Sequence, residues 1–127
     1  MRQPTVLVVD DDDDIREITQ LALEAVAGWR VIAADGGAAA IELAREHRPD
    51  AVLLDLMMPV IDGRATFQAL RADERTRDIP VILLTAKLRA GGAQAWDDLD
   101  VVGVIAKPFG PMTLGAEVAE MLGWEDV

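Results

Sequence analysis

Cysteine is absent from all 127 residues. That excludes a disulfide framework, a thiolate metal site and a thiol nucleophile, and it fits the cytoplasm. Basic residues are scarce: 12 Lys and Arg against 23 Asp and Glu give a net charge of −11. Such a chain is not expected to bind DNA, RNA or an anionic membrane directly, because each needs a basic surface. It favours divalent cations, or proteins with basic patches. No apolar run approaches the length of a transmembrane helix, and Met1-Arg2-Gln3-Pro4 lacks the apolar core of a signal peptide. Neither export nor membrane insertion is expected. Internal repeats, linkers and low-complexity tails are also missing, so residues 1–127 are expected to form one domain with its core at about residues 4–123.

What is present is apolar enough to fold, with 51% hydrophobic and 28% charged residues. Short runs rich in Val, Ile and Leu occur at Thr5–Val9, Trp29–Ala34, Ala51–Leu54, Val81–Leu84 and Val101–Ala106. Their length and lack of charge predict strands buried on both faces. Segments with helical spacing lie between them. Ile15, Ile18, Leu21 and Ala25 mark one face of the first, with Gly28 as its stop. Ala40, Ile41 and Ala44 mark the second, ahead of Arg48-Pro49. The third is expected to start near Gly63 and bury Phe67 and Leu70. A fourth, containing Gly91 and Gly92, reads as short or mobile. The last has Pro111 at a favoured first helical position, then Leu114, Val118 and Met121 on one face.

Strict β-α alternation predicts a parallel sheet covered by helices on both faces. Ligands of such sheets bind at the C-terminal ends of the strands. Asp10 and Asp11 end the first strand, Asp55 the third, Thr85 the fourth and Lys107 the fifth. Three carboxylates, a hydroxyl and an ammonium on one edge suit a magnesium and phosphoryl site. Magnesium takes oxygen ligands and few protein carboxylates, and a carboxylate can itself attack phosphorus to give an acyl phosphate.

Asp10 and Asp11 belong to a run of five aspartates, Asp10 to Asp14. Carboxylates about 4 Å apart repel by roughly 4 kcal/mol at an effective dielectric near 20. Asp12, Asp13 and Asp14 are read as a solvated helix start, favourable to the helix dipole. Asp62-Gly63 reads as turn chemistry, Met57 and Met58 as packing or pocket wall, and Trp29 as strand packing. His47 sits near a helix end, where a cation is favourable. Trp96 and Trp124 suit either a core edge or a contact surface.

Val-Val-Asp10-Asp11-Asp12, Asp55-Leu-Met-Met58-Pro59-Val-Ile-Asp62-Gly63, Leu84-Thr85-Ala86 and Lys107-Pro108-Phe109 together resemble the receiver domain of two-component response regulators. The intervals match as well: 44 residues from Asp11 to Asp55, 30 from there to Thr85 and 22 more to Lys107. The resemblance implies a flavodoxin-like, doubly wound (βα)5 three-layer sandwich, with a parallel sheet of strand order 2-1-3-4-5. It implies a phosphoacceptor rather than a turnover enzyme, one that assists its own phosphorylation and dephosphorylation. Asp55 would take the phosphoryl group from a histidine kinase or a histidine phosphotransfer protein. Asp10, Asp11, Asp55 and the Met57 backbone carbonyl would hold magnesium or manganese. Thr85 and Lys107 would contact the phosphoryl oxygens, while Ala86 keeps the entrance small. The Lys107–Pro108 peptide would be cis.

Receivers often carry an aromatic residue three positions before the lysine, and its rotation reports phosphorylation. Here Val104 occupies that place, so the readout is expected to run instead through the fourth helix and the loop after Thr85. A stand-alone phosphorylation switch or relay is expected, monomeric or weakly dimeric, acting on a downstream protein target. A receiver cut from a larger regulator or hybrid kinase would read the same. Two other chemistries fit less well. A haloacid dehalogenase-type phosphatase would leave the set from Asp55 to Lys107 unexplained. A nucleotide or flavin module needs a phosphate loop where five carboxylates stand.

Overall fold

The computed structural model describes residues 3–58, 60–85 and 98–124. Five parallel strands, β1 (Thr5–Val9), β2 (Arg30–Ala34), β3 (Ala51–Asp55), β4 (Val81–Thr85) and β5 (Gly103–Ala106), form one sheet in the order β2-β1-β3-β4-β5. This is the expected flavodoxin-like arrangement. The described helices are α1 (Asp13–Leu21), α2 (Gly37–His47), α3 (Gly63–Ala72) and α4 (Leu114–Leu122). The fourth helix expected from sequence falls within residues 86–97, outside the described residues.

Strand alternation divides the core in two. Leu7, Val9, Val52, Leu54, Val81 and Leu83 face α2 and α3, meeting Ala40, Ala44, Phe67 and Leu70. Val6, Val8, Leu53, Ile82, Leu84 and Ile105 face the other way, onto Ala22, Leu23, Trp29, Leu114 and Val118. Runs of uninterrupted aliphatic residues are what a strand covered on both faces requires.

Three details differ from the sequence reading. Trp29 precedes β2 and packs edge-to-face on Trp124, with ring centroids 5.3 Å apart. Val101 and Val102 lie before β5, whereas Asp55 and Thr85 are the last residues of their strands. Pro111 lies in a turn, and α4 begins only at Leu114, whose N–H bonds Gly110 O at 3.0 Å.

The largest correction concerns α1. Its inward residue is Thr19, followed by Ala22 and Leu23 just beyond its end, while Ile18 and Leu21 are 44% and 54% exposed and Ala25 is also exposed. Thr19 hides its hydroxyl by donating to Ile15 O at 2.7 Å, so a polar residue occupies the inner face. A single π-helical turn over Ala22–Val26 then alters the spacing before Gly28, at φ +77°, ends the segment. Apolar counting on a fixed 3.6-residue period selects the wrong stripe.

Asp62 caps α3 by accepting from Ala65 N at 2.8 Å, and Gly63 N donates to Leu56 O at 3.0 Å. A Cβ on Gly63 would lie 2.5 Å from Asp55 O and 2.6 Å from Leu56 Cα, both backbone atoms. Three residues earlier, Val60 is fully exposed at φ +65°, a conformation costly for a β-branched residue. Gly63→Ala should therefore destabilise by about 2 kcal/mol or more, whereas Val60→Asn should stabilise by about 1 kcal/mol. Urea unfolding of both variants checks these opposite signs.

Candidate functional site

The C-terminal ends of β1, β3 and β5 converge on an open cavity of about 500 Å³, lined by Asp10, Asp11, Asp55, Met57, Lys107 and Pro108 among others. Side chains on one face of a strand recur every second residue. Asp10 continues the series Val6, Val8; Asp55 follows Leu53; Lys107 follows Ile105, so all three belong to the same face. Thr85 follows Leu83 instead, on the opposite parity. It is fully buried and absent from the cavity lining, although Lys107 N donates to its carbonyl at 2.9 Å. Ala86 lies outside the described residues.

Asp10 is fully buried, and each of its polar groups is engaged. Its N–H donates to Ala34 O at 3.1 Å, and Oδ1 accepts from Asp12 N at 2.9 Å. Oδ2 accepts from Lys107 Nζ at 2.7 Å, and the carbonyl accepts from Arg16 Nη1 at 2.9 Å. Asp55 is almost as buried. Its Oδ1 accepts from Met57 N at 3.1 Å and lies 3.5 Å from Lys107 Nζ. Lys107 therefore bridges two buried carboxylates, and its peptide bond to Pro108 is cis. Met57 is half exposed beside them, while Met58 packs into the core.

Asp10, Asp11 and Asp55 each place a carboxylate oxygen within 4.8 Å of the others. Burial is the main force pushing Asp55 up, to about 6, with the Asp10 charge adding to it. Lys107 and the Met57 N–H pull the other way without cancelling the rise. One ammonium thus leaves the carboxylates short of positive charge. An all-oxygen donor set of this kind fits a hard divalent cation such as magnesium.

The remaining aspartates take other roles. Asp12 is the N-cap of α1, accepting from Asp14 N at 2.9 Å and Ile15 N at 3.1 Å. Asp13 and Asp14 stand in the first turn, as expected. The sequence reading passed over Arg16, which pairs with Asp13 and holds the Asp10 carbonyl. Its signal was weak: one basic residue two positions after five acidic ones. Val104 lies on β5, half buried, and lines a separate groove with Phe109 and Met121.

This fold, with an acidic cluster and one lysine at the strand ends, defines a doubly wound α/β domain whose charged site lies on the C-terminal edge of the sheet. The chain matches the response regulator receiver domain over residues 6–119, and it belongs to that family. It is 38% identical over 119 residues to the DNA-binding dual master transcriptional regulator RpaA of Synechocystis, covering 94% of this chain and 49% of that protein. It is 36% identical to the phosphate regulon transcriptional regulatory protein PhoB of Pseudomonas aeruginosa, covering 93% and 51%. The chain thus spans about half the length of the curated relatives it matches. Among solved structures, chemotaxis protein CheY4 of Vibrio cholerae superposes with a TM-score of 0.85 at 29% identity, covering 94% of this chain and 99% of that one. The receiver domain of sensor histidine kinase PA1611 from Pseudomonas aeruginosa PAO1, with a magnesium ion coordinated in its active-site cleft, gives 0.82 at 28% identity, covering 96% and 99%.

The raised Asp55 value has a consequence for the metal-free protein. Its folded value of about 6 exceeds the ordinary 3.8, so the neutral carboxyl favours the native state. That contribution is complete below about pH 3.8 and is lost as pH rises through 6, a swing of about 3 kcal/mol. In EDTA, Asp55→Asn should flatten this profile and raise the melting temperature at pH 7.5. Thermal melts of both proteins from pH 4 to 8 check it.

Proposed function

We propose that this domain is a phosphorylation switch in which Asp55 accepts a phosphoryl group with the help of magnesium. The reading rests on one juxtaposition: Asp55 within reach of Asp10, Asp11 and Lys107 at the strand edge. An Asp55 carboxylate oxygen attacks phosphorus in line. As the new P–O bond forms, the P–N bond of a phosphohistidine breaks, or the P–O bond of an acyl phosphate, and the donor leaves with the electron pair. Magnesium held by Asp10, Asp11, Asp55 and the Met57 carbonyl would supply charge neutralisation at the phosphoryl oxygens.

Lys107 spans both acids before reaction and exchanges Asp55 for a phosphoryl oxygen afterwards. Thr85 donates its hydroxyl to a second oxygen, which on the opposite strand parity requires an inward shift, and Ala86 leaves room at the entrance. The donor is a histidine kinase or a histidine phosphotransfer protein. Ile18 and Leu21 stand exposed on α1, whose Ile15 lines the acidic cavity, and offer an apolar footing for the donor's helix. The domain itself contacts proteins rather than DNA, consistent with its net charge of −11. DNA binding, which the name of RpaA of Synechocystis states, would require a further segment. Val104 cannot rotate a ring, so the output leaves through the segment after Thr85 and the groove beside β5.

Incubation with acetyl phosphate and magnesium, followed by intact-mass measurement, should show one added phosphoryl group. The adduct should vanish in Asp55→Asn and fall at least about tenfold in Lys107→Ala. Persistence of the adduct in Asp55→Asn would overturn the assignment.

A further inference from the structure

The cation site depends on how the chain presents Asp11, an exposed residue inside a run of like charges. Both peptide units flanking Asp11 are pinned. The preceding one is held through Asp10 O, which accepts from Arg16 Nη1 at 2.9 Å. The following one is held through Asp12 N, which donates to Asp10 Oδ1 at 2.9 Å. Arg16 also reaches Asp13 Oδ1 at 2.6 Å through Nη2, so one guanidinium spans the turn from Asp10 to Asp13. Its side chain is only 21% exposed.

The geometry explains why the residue is an arginine at this position. Residue 16 lies in the first turn of α1, and helical side chains lean towards the N-terminus, back over the loop. A planar fork serves a carbonyl and a carboxylate together, whereas an ammonium is a point donor on a flexible stem. Lys107 grips Asp10 from the other side, but its ammonium lies within the phosphoryl site, while Arg16 bonds only to the loop's outer groups.

We propose that Arg16 is a positioning residue for the cation site, fixing the Asp10–Asp13 turn so that Asp10 and Asp11 face Asp55 before the metal arrives. The inference rests on the reading that Asp10, Asp11 and Asp55 hold magnesium. Positioning and simple charge make opposite predictions. By charge alone, deleting a nearby cation tightens binding of a second cation, and deleting the Asp13 carboxylate weakens it. If Arg16 positions the loop, its loss weakens binding while loss of the Asp13 charge matters little.

Calorimetric magnesium titration of the intact chain separates the two. Arg16→Ala should weaken magnesium about tenfold or more, in the range that outer-shell partners of metal ligands command. Arg16→Lys should recover only part of that loss, and Asp13→Asn should change affinity by less than about threefold. Amide exchange on the metal-free proteins gives an independent readout: the Asp12 N–H should lose protection in Arg16→Ala while β3 and β4 keep theirs. Unchanged or tighter magnesium binding by folded Arg16→Ala overturns the proposal. Should that variant not fold, wild-type affinity in Arg16→Lys overturns it instead. Asp11→Asn tests the underlying reading separately: if it binds magnesium as wild type does, the cation-site reading itself fails, whatever Arg16 does.

Discussion

Two buried carboxylates share one ammonium, and much of the molecule follows from that shortage. Asp10 and Asp55 stand at neighbouring strand ends, with Lys107 at 2.7 Å from one and 3.5 Å from the other. Removing the ammonium from such a set strands charge in the interior, typically at a cost of about 3–5 kcal/mol. Retaining it still leaves Asp55 reluctant to ionise. The native state is therefore poised rather than relaxed at this edge, and any added charge there alters the balance directly.

The fold was legible because its strands are short and aliphatic on both faces, a pattern that few alternatives satisfy. The order of the strands came from resemblance, since five similar runs do not specify their own neighbours. Helix α1 was misread for a local reason: Thr19 turns inward with its hydroxyl satisfied by the preceding turn, and a π-helical turn follows. Both are invisible to a count of apolar residues at regular spacing. The start of α4 was misplaced because Pro111 suits a turn as well as a first helical position.

At the site, Asp10, Asp11, Asp55 and Lys107 could be named from spacing and resemblance because each ends a strand or follows one within two residues. Arg16 could not. Its importance comes from a bond to a backbone carbonyl, and carbonyls have no sequence signature. Thr85 shows a second limit: a position in the motif does not disclose strand parity, and parity separates it from the cavity that the acids line.

The contact at Gly63 gives the domain a joint without slack. Backbone meets backbone where α3 begins and β3 ends, with no side chain between them to compress or rotate. A soft interface absorbs small displacements; this one transmits them. A tilt of the strand end that carries Asp55 therefore presses on α3, and a load applied to α3 returns to Asp55 in the same way. Mechanically, the helix is a lever whose fulcrum is the absence of a single methyl group.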